Sequence, residues 1–173
     1  DALLPLFRRH EDHWRGADDL HGAGGEWRVE RQRLSWEILD AFAAAAREAG
    51  IAAGDDFNRG SNEGVGYFEV NQKRGVRWNA AKAFLRPVAQ RPNLQVRTGV
   101  LADRLLLEGG RATGLEVIEA GARRTLRATR ELVLTAGAVH TPPLLQRSGI
   151  GPGPLLQSLG IPVRHALPGV GEN

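Results

Sequence analysis

The sequence predicts a mixed α/β (α+β) fold in which an antiparallel meander leads into a strand-to-helix turn. Three observations predict it. Between Val100 and Arg130, strand-like runs are punctuated by Gly109-Gly110 and by Ala120-Gly121-Ala122, as hairpin turns would do. Leu132 to Thr135 is short and apolar on both faces, like a strand covered on both sides. Thr141-Pro142 then reads as a helix start and Ser148-Gly149 as a helix stop.

The elements follow in chain order. Residues 1–15 read as a helix with Leu3, Leu4, Phe7 and Trp14 on one side. Gly16 to Gly25 is a glycine-rich loop, and Trp27 to Val29 a short strand. Ser35 is placed to cap a helix running to Ala49, with Ile38, Leu39, Phe42, Ala45 and Ala46 at helical spacing and Gly50 as its stop. Asp55 to Gly66 is turn chemistry throughout. Tyr67 to Gln72 reads as a strand, Trp78 to Ala89 as a helix with Pro87 near its end, and Asn93 to Thr98 as a short buried strand. Residues 100–129 form the three-stranded meander. Short helices are expected at about Pro142 to Arg147 and Pro154 to Leu159, the second stopping at Gly160.

Composition narrows the function classes. The 173 residues are 42% hydrophobic and 25% charged, as in a soluble globular chain. No apolar run approaches the ~20 residues of a membrane span, so no stable membrane insertion is expected. No signal-peptide pattern is visible, and the expected location is cytoplasmic. There is no cysteine, which excludes disulfides and thiolate metal sites. The net charge of +3 is mostly arginine, scattered rather than blocked, so no nucleic-acid partner is expected. There is also no methionine, and the expectation is an internal piece of a longer chain.

The turn after Leu132 to Thr135 is the candidate ligand edge. Ligands in open α/β sheets sit beyond the carboxyl ends of strands. Ala136, Gly137 and Ala138 carry almost no side chain, so the backbone there can approach a ligand closely. The next helix start would point free N–H groups at the same crevice. On spacing alone, a tight strand-to-helix turn with no ligand is the favoured reading. No G-x-G-x-x-G lies between a strand and a helix; Gly149, Gly151 and Gly153 follow a helix instead.

The stretch Gly137-Ala138-Val139-His140-Thr141-Pro142-Pro143-Leu144-Leu145-Gln146-Arg147-Ser148-Gly149-Ile150-Gly151 resembles the second signature of the glucose-methanol-choline (GMC) oxidoreductases. The likeness extends to Gly75 through Pro87, to Arg91 through Leu94, to Asp56-Phe57-Asn58, and to Leu167-Pro168-Gly169-Val170-Gly171-Glu172-Asn173, with a choline or alcohol dehydrogenase flavour. The resemblance implies a partial FAD-binding Rossmann-like domain with the meander, plus part of a substrate-binding domain. Residues 1–13 would be a helix of the FAD-domain region and 14–90 part of the substrate domain. Residues 91–151 would return to the FAD domain, and 152–173 would start the following segment.

It also implies FAD as cofactor and a small-molecule alcohol as substrate, oxidised by hydride transfer to the flavin. Val100, Leu101 and Ala102 would run beside the adenine, where relatives often have Val at the position of Ala102. Ala136, Gly137 and Ala138 would lie on the ribose and pyrophosphate side. The family's pyrophosphate loop would precede this chain and its catalytic histidine would follow it, so no catalytic residue is assigned and the isolated chain is expected to be inactive. A different two-dinucleotide-fold flavoprotein and a basic binding module are the alternatives. His140 is expected at a helix start. Asp18-Asp19 and Asp55-Asp56 are expected to be turn residues, and Asn79 is read as a cap with Trp78 in the core. His10 and His13 share a helix face without an evident third ligand, so no metal site is expected.

Overall fold

The computed structural model describes residues 2–172, which divide into two compact units at Gln95/Val96. In the first unit, helix α1 (Leu4–His10) carries Pro5 in its first turn, where a missing N–H costs nothing. It ends at His10, earlier than the expected residue 15. Glu11 turns extended and β1 (Glu11–His13) pairs in parallel with β2 (Trp27–Val29). The glycine-rich loop forces this exit. The His13 N–H donates to the Gly22 carbonyl at 2.9 Å and the Gly25 N–H to the Glu11 carbonyl at 3.0 Å. Gly22 approaches so closely that a Cβ there would overlap the Arg8 carbonyl.

Helix α2 (Glu37–Glu48) has Glu37 and Asp40 in its first turn and Arg47 in its last, matching its dipole. Its cap is not Ser35. Trp36 takes the cap position without a side-chain bond of its own, and Tyr67 supplies the contact instead. The Trp36 N–H donates to the Tyr67 hydroxyl at 3.2 Å, and that hydroxyl donates to Asp40 at 2.8 Å. Gly50 follows the helix at φ +88°, as expected of its stop. Among α2's residues Ala46 is buried, whereas Ile38 and Phe42 are 73% and 67% exposed.

The expected strand at Tyr67 to Gln72 is reduced to a single bridge, Glu30 to Val70, before β3 (Gln72–Lys73) pairs with β4 (Val76–Arg77) across an Arg74-Gly75 turn. Instead of one helix over Trp78 to Ala89, a π-turn (Ala81–Leu85) passes into a 3₁₀ turn (Arg86–Val88). Pro87 has no N–H to continue an α-ladder. Asn79 does cap this segment: its Oδ1 accepts the Lys82 N–H at 3.0 Å. Phe84 stacks on Trp27 at 5.9 Å, so the π-turn is tied to β2.

The second unit holds the meander β5 (Val100–Glu108), β6 (Arg111–Glu119) and β7 (Ala122–Arg127), all antiparallel, with its turns where the sequence puts them. Gly109 and Gly110 take positive φ in one turn, Ala120 and Gly121 in the other, the twist a two-residue hairpin requires. One register shift lies between Ala102 and Arg104, so Asp103 has no partner on β6. Cross-strand charge pairs tie the three strands on both faces: Arg123 meets Asp103 at 2.6 Å and Arg104 meets Glu116 at 3.4 Å on one, and Arg124 meets Glu119 at 3.1 Å on the other.

Helix α3 (Gly137–Arg147) packs on β5, and Leu105, Val117, Leu144 and Leu156 form the unit's core. The helix starts at Gly137 rather than Pro142, which with Pro143 lies inside it. Its stop at Ser148-Gly149 is as expected: Ser148 is the C-cap and Gly149 takes φ +86°. After β8 (Ile150–Gly151), α4 (Gly153–Ser158) ends before Gly160, and β9 (His165–Ala166) pairs in parallel with β8.

Two expected strands do not form. Asn93 to Thr98 and Leu132 to Thr135 pair with no strand among the described residues. Both runs have strand composition, but a strand exists only through its neighbours. Val96 and Val133 are exposed accordingly.

Candidate functional site

The predicted ligand edge lies wholly in the second unit, at the two ends of the β5–α3 pair. Val100 and Ala102 are half-buried and Leu101 exposed at the start of β5. Ala136, Gly137 and Ala138 are exposed. They sit on α3 rather than in a loop before it: Ala136 is the N-cap and Gly137 and Ala138 open the helix. Alanine has no group with which to cap a helix, and the first turn contains no acid. The leading N–H groups of α3 therefore face outward uncompensated by their own side chains. Gly137 holds φ +79°, and a Cβ built there meets nothing within 4 Å. The result is a bare backbone surface beside helix donors. His140 is exposed in the same first turn.

The first unit contains a second constellation that sequence spacing did not reveal. His13 and His21 stack with ring centroids 4.0 Å apart, and their side chains are 1% and 3% exposed. The His21 ring lies between two carboxylates, Nδ1 at 3.0 Å from Glu11 and Nε2 at 2.9 Å from the fully buried carboxylate of Asp56. His13 Nε2 lies 2.8 Å from Glu69. Arg15 completes the ring of charge, reaching Glu69 at 3.1 Å and Asp56 at 3.7 Å, while Arg59 reaches Asp56 at 3.2 Å. Trp14 donates its indole N–H to Glu69 at 2.7 Å.

His13 is thus a strand residue, not a partner of His10 on a helix face. Asp56 is both a turn residue, accepting the Asn58 N–H at 2.9 Å, and a buried anion. Asp18 keeps its expected turn role by accepting the Leu20 and His21 N–H groups, each at 2.8 Å. Glu11, His13 and His21, and likewise His13, Asp56 and Glu69, bring potential ligand atoms within 4.8 Å of one another. Their geometry is that of a closed hydrogen-bond network. The stacked rings do not converge their in-plane lone pairs on one point, and the carboxylates already face imidazole and guanidinium groups. Beside the network opens a hollow of about 820 Å³ walled by Arg15, Arg31, Arg33, Arg47 and Tyr67, a lining that suits water and polar groups.

Glu30 shows how charge is settled nearby. Burial would raise its carboxyl, but the Arg74 N–H and the Arg28 and Arg33 guanidinium groups outweigh that and hold it below the ordinary carboxylate value. In the second unit the Arg127 and Thr113 contacts lower Glu108.

Residues 1–173 match the GMC oxidoreductase family model over their whole length. The chain belongs to the GMC oxidoreductase family. Among its curated relatives, mitochondrial choline dehydrogenase of Mus musculus is 41% identical over 170 residues, covering 98% of this chain and 28% of the relative. The oxygen-dependent choline dehydrogenase of Sinorhizobium fredii is 39% identical over 171 residues, covering 99% and 31%. A solved pyridoxine 4-oxidase from Mesorbium loti superposes with a TM-score of 0.90 at 36% identity, covering 96% of this chain and 33% of that one. An FAD-dependent oxidoreductase from Chaetomium thermophilum gives 0.89 at 28% identity, covering 97% and 32%. The chain therefore spans about a third or less of the length of these GMC proteins. Its mixed α/β architecture matches theirs. Among the described residues, no helix is long and apolar enough to cross a membrane.

Proposed function

We propose that this chain supplies one wall of the cofactor site in an FAD-dependent alcohol oxidoreductase. Val100, Leu101 and Ala102 would flank the adenine, and Ala136, Gly137 and Ala138 the ribose and pyrophosphate side. Residues 14–90 would belong to the substrate domain and 91–151 to the FAD domain. The division of the chain at Gln95/Val96 supports the boundary near residue 90, while residues 2–13 fall in the first unit with the proposed substrate-domain stretch. The observation that carries the reading is the surface at the start of α3. It has no side chain to exclude a ligand, no acid to repel a pyrophosphate, and helix N–H groups free to meet one.

When bound, FAD supplies the redox chemistry by accepting a hydride from the alcohol carbon. The residues in this chain bind and orient; none of its five histidines is assigned the alcohol proton. His13 and His21 are committed to the buried network, and His140 stands at the helix start. The isolated chain is accordingly proposed to be inactive and to hold FAD weakly.

The test uses the full-length parent enzyme. Gly137→Val places a branched side chain on the bare wall and should reduce the flavin retained through gel filtration. Because Gly137 has positive φ, that variant also strains the backbone. Ala138→Leu adds bulk at an exposed helical position without that strain. Loss of flavin in both, with unchanged thermal unfolding of Ala138→Leu, supports the reading. Full flavin content in both overturns it.

A further inference from the structure

We infer that Arg147 is a positioning residue for the adenine-facing stretch. This rests on the reading of Val100 to Ala102 proposed above. Arg147 is the last residue of α3. Its Nε donates to the Asp103 carbonyl at 2.9 Å and its Nη2 to the Ala102 carbonyl at 3.3 Å. These two carbonyls flank the point where the β5–β6 register slips and Asp103 loses its opposite residue. A bulge leaves its extra residue unpaired and the ladder locally disrupted. The planar guanidinium ties this break to α3 by holding two consecutive carbonyls in one fork. The Asp103 carboxylate lies 4.0 Å from the same Nε, and Arg123 holds it from the other side at 2.6 Å.

Ser148 provides a second, buried fastening one residue on. Its Oγ accepts the Leu105 N–H at 2.8 Å and donates to the Leu144 carbonyl at 2.6 Å. Residues 102–105 are thereby joined to the carboxyl end of α3, whose amino end carries Ala136 to Ala138. Ser148 sits in the core and holds the fold. Arg147 is exposed and reaches the backbone next to the proposed adenine edge and the Asp103 carboxylate beside it, so its effect should be selective. A lysine presents a single point of charge and cannot span both carbonyls.

The experiment uses the full-length parent, stripped of flavin, with wild-type, Arg147→Ala, Arg147→Lys, Ala138→Leu and Gly137→Val forms. Dissociation constants are measured for FAD, for ADP as the adenine half, and for FMN as the flavin half. Arg147→Ala should weaken FAD and ADP roughly tenfold, as expected for losing a charged hydrogen-bond donor, and leave FMN unchanged. Arg147→Lys should fall between wild type and Arg147→Ala. Hydrogen exchange at Ala102 to Arg104 should quicken in Arg147→Ala. Unchanged ADP and FAD affinity in Arg147→Ala overturns the inference, as does an equal loss for FMN, which marks a general structural role. If Ala138→Leu and Gly137→Val leave FAD affinity at the wild-type value, the underlying site reading fails and the inference fails with it. If they weaken FAD while Arg147→Ala does not, only the role of Arg147 is lost.

Discussion

His13 and His21 lie face to face at 4.0 Å with their planes 24° apart, and each turns a ring nitrogen to a different carboxylate. Stacked imidazoles in a buried site are held together by their anions, so the network stands or falls on Asp56 and Glu69. Asp56→Asn keeps the volume but removes the charge facing His21, Arg15 and Arg59. The variant should lose about 3–5 kcal/mol of stability, the range for breaking a buried ion pair. Denaturant unfolding of the parent enzyme checks this, and a midpoint equal to wild type refutes it.

Gly22→Ala should be disproportionately costly for so small a change. The added carbon meets the Arg8 carbonyl, and the loop cannot retreat without losing the His13–Gly22 hydrogen bond. The expected loss is about 1–3 kcal/mol, typical of overpacking. Proteolysis near Arg15 should quicken in parallel if the loop lifts.

Acid should weaken the first unit partly through Glu30. Its carboxyl titrates below its ordinary 4.5 in the folded chain. Its stabilisation is therefore present above that value and is lost as pH falls through the lower, folded one. Glu30→Gln should flatten the fall in stability on the acid side of 4.5 relative to wild type. Urea midpoints at neutral and acid pH decide it; parallel curves would count against the assignment.

Ala120 takes φ +49°, a left-handed conformation that a side chain disfavours. Ala120→Gly should stabilise the β6–β7 hairpin by about 0.5–1 kcal/mol, the strain relieved less the extra chain entropy. A lowered thermal midpoint would contradict this.

The meander was legible because both of its turns carry glycine where a two-residue hairpin requires it, and a hairpin is a local structure. The stops at Gly50, Gly149 and Gly160 were legible for the same reason. What failed to read was non-local. Nothing at Glu11 announces that Gly22 will arrive to take the His13 N–H, and nothing at Trp36 announces Tyr67. Leu132 to Thr135 has strand composition but no partner strand among the described residues. At the candidate site, the small residues Ala136 to Ala138 were visible in the sequence, although their place on the helix was not. The His13–His21–Asp56–Glu69 network was hidden because its members are separated by long stretches of chain. The one available signal was three histidines and several acids crowding the segment from His10 to His21.

Pro142 and Pro143 have a mechanical consequence. They supply no N–H to the carbonyls of Ala138 and Val139 four residues earlier, so the opening turn of α3 lacks two rungs of its ladder. At the other end Arg147 and Ser148 fasten the helix to β5. Helix α3 is thus a cantilever, fastened at its carboxyl end and held by fewer hydrogen bonds of its own at the tip that bears Gly137. The clamp meanwhile ties the end of the helix to the slipped register of β5.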